Sequence, residues 1–401
     1  MKIKSSILFL TIYCCFKSLI LFGQNRDTSI HFDFYGDQIE FILDRSFITD
    51  FTGVPSQSAI DSFYQKVEKS NYISVLNALN IYKEKYKPDD WLYYQLIRKT
   101  AQQISPKAEN YKRYTLYKWF LLIKSGYDAM LTFAGDQLLF YVRSDENIYN
   151  IPTHIYHGKQ YVCLNFHDYK NIDFVKDKFS AFIIDFSGGK NAFSYKITHL
   201  PDFRPGDYLE KDIRFNYYDQ DYYFRVKLNP EIKAIFINYP VVDYESYFNI
   251  PLSNQTYKSL IPVLKRSVKG LSKKNGVDYL MRFTRYAFLF EPDSLTFGME
   301  KRLSPEQTLL YDYSDCEDRA ALFFYLVREI YDLPMIVLVF PTHVTVAVKF
   351  DKPIGTPIIY NGVAYTVCEP TPQKEDLNLG QLMPQHRKAP YEIAYVYAPK
   401  H

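Results

Sequence analysis

Apolar residues return along the chain at two spacings, and the spacing assigns the elements. Residues 31–43 alternate as a short strand pair about a turn at Tyr35 and Gly36. Ile60, Phe63 and Val67 then share one face, and Ile73, Leu76, Leu79 and Tyr82 continue the 3.6 period as one helical stretch. Asp89 and Asp90 are placed to cap a helix starting at Trp91, and a further helix is predicted over 111–124. Strand patterns follow at 137–142 and 160–166, the second just after His157 and Gly158. Residues 169–250 read as antiparallel β: runs 213–218 and 222–228 flank a polar turn, and 232–239 is a third apolar strand. That spacing predicts a β-sandwich or half-open sheet. Helices return at 254–269, kinked or restarted at Pro262, and at 277–289. The remainder passes from helix to strands.

Composition narrows the class. Of 401 residues, 47% are hydrophobic and 23% charged, so the chain can pack a core and wholesale disorder is excluded. Tyr (38) and Phe (31) abound while Gly (15) is scarce, and no GxGxxG or GxxxxGK[ST] string occurs, which excludes the usual nucleotide cradles. Lys2 and Lys4 precede an apolar run broken by Lys17 and ending near Gly23, the pattern of a cleaved signal peptide over residues 1–23. No later stretch is apolar enough to span a bilayer, so an exported, periplasmic or extracellular protein without a stable membrane span is expected. Removing Lys2, Lys4 and Lys17 takes Lys and Arg from 48 to 45, equal to the 45 Asp and Glu, and a neutral chain is a poor nucleic-acid partner. Cys163, Cys316 and Cys368 remain after Cys14 and Cys15 go; three separated cysteines make no disulfide framework and leave at least one thiol over.

That thiol sits in the most informative segment. Ser314 or Asp315 can cap a helix whose first turn holds Cys316, Glu317 and Asp318 and whose body, 320–331, is strongly apolar, ending before Pro334. Cys316 is thereby placed at a helix N-terminus, where free amides and the dipole stabilise a thiolate and serve an oxyanion hole. After the strand 335–340, His343 begins an alternating strand. It shares a face with Thr345, Ala347 and Lys349, opposite Val344, Val346 and Val348, so it need not lie in the main core. Asn361 and Gly362 predict a hairpin turn into a strand over 363–368 that reaches Glu369, with Cys368 on the opposite face from Glu369. A thiol, an imidazole and a carboxylate in that order form a nucleophile, a base and an orienter.

The strings Asp-Cys-Glu-Asp-Arg-Ala at 315–320, Pro-Thr-His-Val at 341–344 and Cys-Glu-Pro-Thr at 368–371 resemble the transglutaminase-like superfamily. The likeness is nearest its bacterial cysteine-proteinase branch and covers residues 275–371. It implies an α+β, papain-like domain with the nucleophile helix packed on an antiparallel sheet. Cys316 would be the nucleophile, His343 the base and Glu369 the third member, with no cofactor and no metal. Two departures stand out: Ser314 replaces the usual Gly, and Glu369 replaces the usual Asp. Asp315, Glu317 and Asp318 match positions that bind calcium in some relatives, but helix capping and first-turn charge are the favoured account of them.

An offset of 204 residues places Phe324, Leu326, Tyr331, Asp332, Gly362 and Tyr365 on Phe120, Leu122, Tyr127, Asp128, Gly158 and Tyr161. Residues 58–168 are therefore read as a degenerate transglutaminase-like copy, with Lys112, Gln137 and Asn165 at the nucleophile, base and acid positions. His154, His157, Cys163 and His167 have ligand types that suit zinc but no tight motif. The expected organisation is a signal peptide (1–23), N-terminal strands (24–57), the degenerate copy (58–168), an antiparallel β domain (169–250) and the transglutaminase-like domain (251–401). The function expected is a thiol enzyme carrying out acyl transfer on a protein or peptide amide, as peptidase, amidase or cross-linker. The alternative is a non-catalytic binding or scaffold protein of the cell envelope. A Cys316–Cys368 disulfide that locks the site is a third possibility.

Overall fold

The computed structural model describes residues 27–169, 172–173, 176–184, 188–292 and 301–399; the segment read as a signal peptide lies outside them. The helices Tyr111–Lys124 and Cys316–Tyr331 are buried almost all round. Their apolar residues occupy every face rather than one stripe, which is the pattern of a helix enclosed by its neighbours. Each leads directly into a five-stranded antiparallel sheet.

The two sheets share one plan. In the first, strands run in the order Thr153–Tyr156, Lys159–Cys163, Gln137–Arg143, Ala129–Ala134, Ser180–Phe182. In the second, the order is Ile358–Tyr360, Val363–Cys368, His343–Val348, Met335–Phe340, Glu392–Tyr397. In chain order both are third, fourth, second, first, fifth. The opening hairpins also share a register: Ala134 faces Gln137, and Phe340 faces His343, each across a two-residue turn. A separate hairpin precedes each unit, Thr28–Phe34 with Asp37–Leu43 and Leu209–Tyr217 with Gln220–Leu228. One hydrophobic core runs through both halves. The outer face of each sheet carries its own small cluster, around Met130, Leu139 and Tyr141 in one and Ile336, Leu338 and Tyr365 in the other. Val241–Val242 pairs with Ile148–Tyr149 across the seam, and the Trp91 indole N–H donates to the Ile235 carbonyl at 2.8 Å. Among the described residues no helix is long and apolar enough to cross a membrane.

Several sequence expectations change. The stretch from Ile60 to Tyr82 is two helices, Gln57–Glu68 and Ile73–Tyr86, because the Ser70 hydroxyl bonds the Val67 carbonyl and closes the first. Among its described residues the region expected as antiparallel over 169–250 is an edge strand of the first sheet, one long hairpin, short helices and a two-residue strand, with no sandwich. The run 232–239, expected as a strand, forms the helix Glu231–Phe236 instead. It buries Ile232, Ile235 and Phe236 at helical spacing, and the Asn229 side chain accepts the Glu231 N–H. Pro262 lies inside a single helix, Asn254–Ser267, that neither stops nor restarts there. Asp89 makes no side-chain cap; it binds the backbone amides of Thr198 and His199, while Asp90 binds that of Ser194.

Candidate active site

The chain enters the second buried helix through a short parallel strand, Tyr313–Ser314, paired with Leu289–Phe290. Asp315 is the N-cap: its carboxylate accepts the Glu317 and Asp318 amides, and the Asp318 carboxylate accepts the Asp315 amide in return. Cys316 is the first helical residue, as expected, and is half-buried. The expected pool of free amides is not there, since Asp315 consumes two of them and leaves the Cys316 N–H as the first-turn amide outside the cap. Electrostatics follow from that. Burial pushes the Cys316 thiol up from its ordinary value, and the Asp315, Glu317 and Glu369 carboxylates act in the same sense. The Val344 amide, hydrogen-bonded to the sulfur, opposes them. These surroundings favour the neutral thiol, against the expected dipole-stabilised thiolate.

Arg319, one turn into the helix and fully buried, holds this entrance in place. Its guanidinium donates to the carbonyls of Ser314, Thr284, Arg285 and Phe288 at 2.8–3.4 Å. Thr284 and Arg285 belong to the last turn of the helix Lys273–Tyr286, whose terminal carbonyls have no intrahelical partner. One side chain therefore ties the end of one helix to the start of the next.

His343 opens its strand where expected, but it is buried, with only 6% of its surface exposed. Its face of the sheet is covered by the segment carrying Leu382, His386 and Ala389, so that face is a second small core rather than open ground. Glu369, 1% exposed, directs Oε2 to His343 Nε2 at 2.7 Å. An ionised carboxylate only accepts, so the contact assigns a proton to Nε2, and in the neutral imidazole that leaves Nδ1 with its lone pair. Glu369 is itself fixed: Oε1 accepts the Thr371 amide at 2.9 Å, and the Arg285 guanidinium grips its backbone carbonyl. The longer Glu side chain thus reaches the imidazole at full hydrogen-bond contact.

Cys316 and His343 line one cleft of about 470 Å³, together with Phe290, Thr342 and Val344. Glu317 at its edge also borders a second cavity of about 500 Å³ at the seam, walled by Tyr149 and Asn150 of the first half and Tyr244 and Arg302 of the second. Glu317 is engaged by Arg302 at 2.9 Å and the Tyr244 hydroxyl at 3.1 Å, and Asp315 and Asp318 by the capping box. The first-turn carboxylates therefore serve as cap and ion pair.

Cys163, Cys316 and Cys368 are all free thiols, so the Cys316–Cys368 disulfide is not formed. Cys368 lies in the core, its thiol pushed up by burial, and Cys163 is likewise buried, pushed up to about 12. The residues weighed for zinc disperse: His154 packs against Tyr141, His157 sits in the hairpin turn and His167 lies beside Asp168. Cys163 ends its strand, and Phe166–Asp168 is a short 3-10 turn, so no shared strand face carries Cys163 and His167.

In the first half, the strand registers put Gln137 where the second half has His343, and Asn165 where it has Glu369. Counting from the caps, Asn110 and Asp315, the residue matching Cys316 is Tyr111, one position before Lys112. Asn165 bonds the Tyr111 hydroxyl and two backbone groups, and Lys112 bonds Asp136 and the Gly53 carbonyl. No thiol, imidazole or carboxylate occupies any of the three positions.

Sequence reasoning missed His386, Arg319 and Arg285. Arg319 stands in the quoted motif, but nothing local says that its guanidinium will meet carbonyls some 30 residues back along the chain. The whole chain matches no protein-family model and no curated protein.

Proposed function

We propose that the protein is an exported thiol enzyme of transglutaminase-like type that carries out acyl transfer on a protein or peptide amide. The observation that carries the reading is the His343–Glu369 hydrogen bond at 2.7 Å, in a cleft that His343 shares with Cys316. Because the surroundings of Cys316 favour its neutral thiol, the attack is base-assisted. The Cys316 proton passes to His343 Nδ1 as Sγ bonds to the amide carbon, Glu369 stabilises the imidazolium, and the Cys316 N–H is placed to receive the developing oxyanion. Collapse breaks the C–N bond, His343 returns the proton to the leaving amine, and a thioester remains. Water then releases an acid, or an amine forms a new amide. The first half supplies the same frame without the chemistry.

The test is iodoacetamide alkylation of Cys316 across pH 5–9 in the wild type, His343→Ala and Glu369→Gln. At neutral pH both variants should react more slowly, His343→Ala by on the order of 100-fold, the lower end of what a positioned base contributes. Equal rates in all three would make Cys316 structural. They would favour the second reading, a non-catalytic binding or scaffold protein, which the upward-shifted thiol and its consumed helix amides support.

A further inference from the structure

His386 lies in the short turn Pro384–His386, beyond Glu369 in the chain, and it is 5% exposed. Its ring lies parallel to that of His343, with centroids 5.2 Å apart and planes 7° apart, an offset stack. Its other neighbour is Phe340, at 4.7 Å, the residue paired with His343 across the strands. The backbone of His386 is satisfied by Met383 and Ala389, but its Nε2 is enclosed with no hydrogen-bond partner. A buried imidazole without an acceptor does no hydrogen-bonding work for the fold, and a phenyl ring would fill the place at less desolvation cost. What the imidazole does have is a face laid on His343.

That face has two physical effects. The Glu369 contact fixes His343 at one atom, Nε2, and a single hydrogen bond does not by itself set the tilt of the ring about that point. A parallel ring closes that freedom and keeps water off one side of the hydrogen bond, where a lower local dielectric strengthens a charge-assisted pair. When His343 takes the thiol proton, a neutral ring beside it offers its π face to the cation, whereas a charged one would repel it.

We propose that His386, in its neutral form, is a positioning residue that holds the His343 ring in line with Glu369 and screens their hydrogen bond from water. This rests on the thiol–imidazole reading above. The titratable groups facing His386 are His343 and Glu369. Burial holds His386 below the ordinary imidazole value, His343 pushes the same way, and Glu369 opposes them. His386 is therefore neutral at neutral pH and gains its proton only in acid, where its charge would lie against the ring it stacks on.

Two readouts in the full-length protein test this. The first is hydrogen exchange of the His343 Nε2–H, followed by proton NMR; the second is Cys316 alkylation by iodoacetamide against pH. His386→Ala should speed exchange of that proton and slow alkylation at neutral pH about 10-fold, as loosened positioning does. His386→Phe keeps the stack and should restore both while removing the extra acid-side loss of reactivity. An Ala variant that matches the wild type in exchange and alkylation overturns the proposal, as does a Phe variant no better than Ala. If wild-type alkylation proves indifferent to His343, the thiol–imidazole reading fails instead, and the exchange experiment separately reports whether His386 shields the His343–Glu369 bond.

Discussion

At the scale of single residues, burial rather than identity decides what each ionisable group does. His167 shows this away from the cleft. Burial lowers it from 6.5 to about 4, Asp168 pulls it back up, and Arg98, Lys118 and Lys107 push it down again. A folded state that refuses a proton the unfolded chain accepts is most stable above 6.5, and loses stability as pH falls from 6.5 towards 4. With the side chain 27% exposed, solvent screening trims the effect to something on the order of 2 kcal/mol. His167→Gln cannot titrate, so urea unfolding across that pH range should give it a flatter profile than the wild type. Parallel profiles would show that His167 carries none of the acid sensitivity. The same dependence on surroundings governed what could be read in advance. The places of Cys316, His343 and Glu369 in their elements were legible because each is defined by neighbours one or two positions away: a cap, a strand start, a hairpin end. The direction in which the Cys316 thiol is shifted was not, because it depends first on how deeply the folded chain buries the sulfur and then on the carboxylates around it.

At the scale of elements, the junction of two helices is pinned by Arg319. Burial brings it down to about 10, still well above neutral pH, so it stays charged while serving four carbonyls. Arg319→Met keeps the bulk but strands those carbonyls, and should cost about 3 kcal/mol in urea unfolding. Arg319→Lys should recover little of it, because an ammonium cannot spread over four acceptors in a plane. A loss below about 1 kcal/mol in the Met variant would mean water replaces the guanidinium at no great cost. Elements with long, regular periods were foreseen almost to the residue, as with Tyr111–Lys124 and the Asn361–Gly362 hairpin, where both turn residues adopt positive φ. Short apolar runs were not. Residues 232–239 satisfy strand and helix alike until Pro230 and Asn229 are seen to start a turn, and Ile237, left 62% exposed, marks where the helical face ends. The segment carrying His386 has no period, and its place over His343 depends on the chain doubling back across the sheet.

At the scale of the molecule, the common core argues for one folding unit despite the two frames. Both tryptophans, Trp91 and Trp119, lie in the first half, and Cys368 is buried in the second. Indole fluorescence and Cys368 thiol exposure therefore report on different halves, and their midpoints in urea should coincide. Separate transitions would mean that the seam is weaker than its continuous apolar contacts indicate. The shared plan of the sheets was only half legible: the 204-residue offset marked it, whereas the partner hairpins had been divided between other segments because hairpins carry no label of what they pack against. Two frames with one register also create a hazard for a newly made chain. The strand belonging beside Ala129–Ala134 has a rival with the same turn length some 200 residues on. Side-chain volume tells them apart, since Gln137–Arg143 brings Leu138, Leu139, Phe140 and Tyr141 where His343–Val348 brings only valines, Thr345 and Ala347. A swapped pairing would overfill one core and hollow the other. The unlikeness of the two halves is what lets the chain find the right partner for each strand.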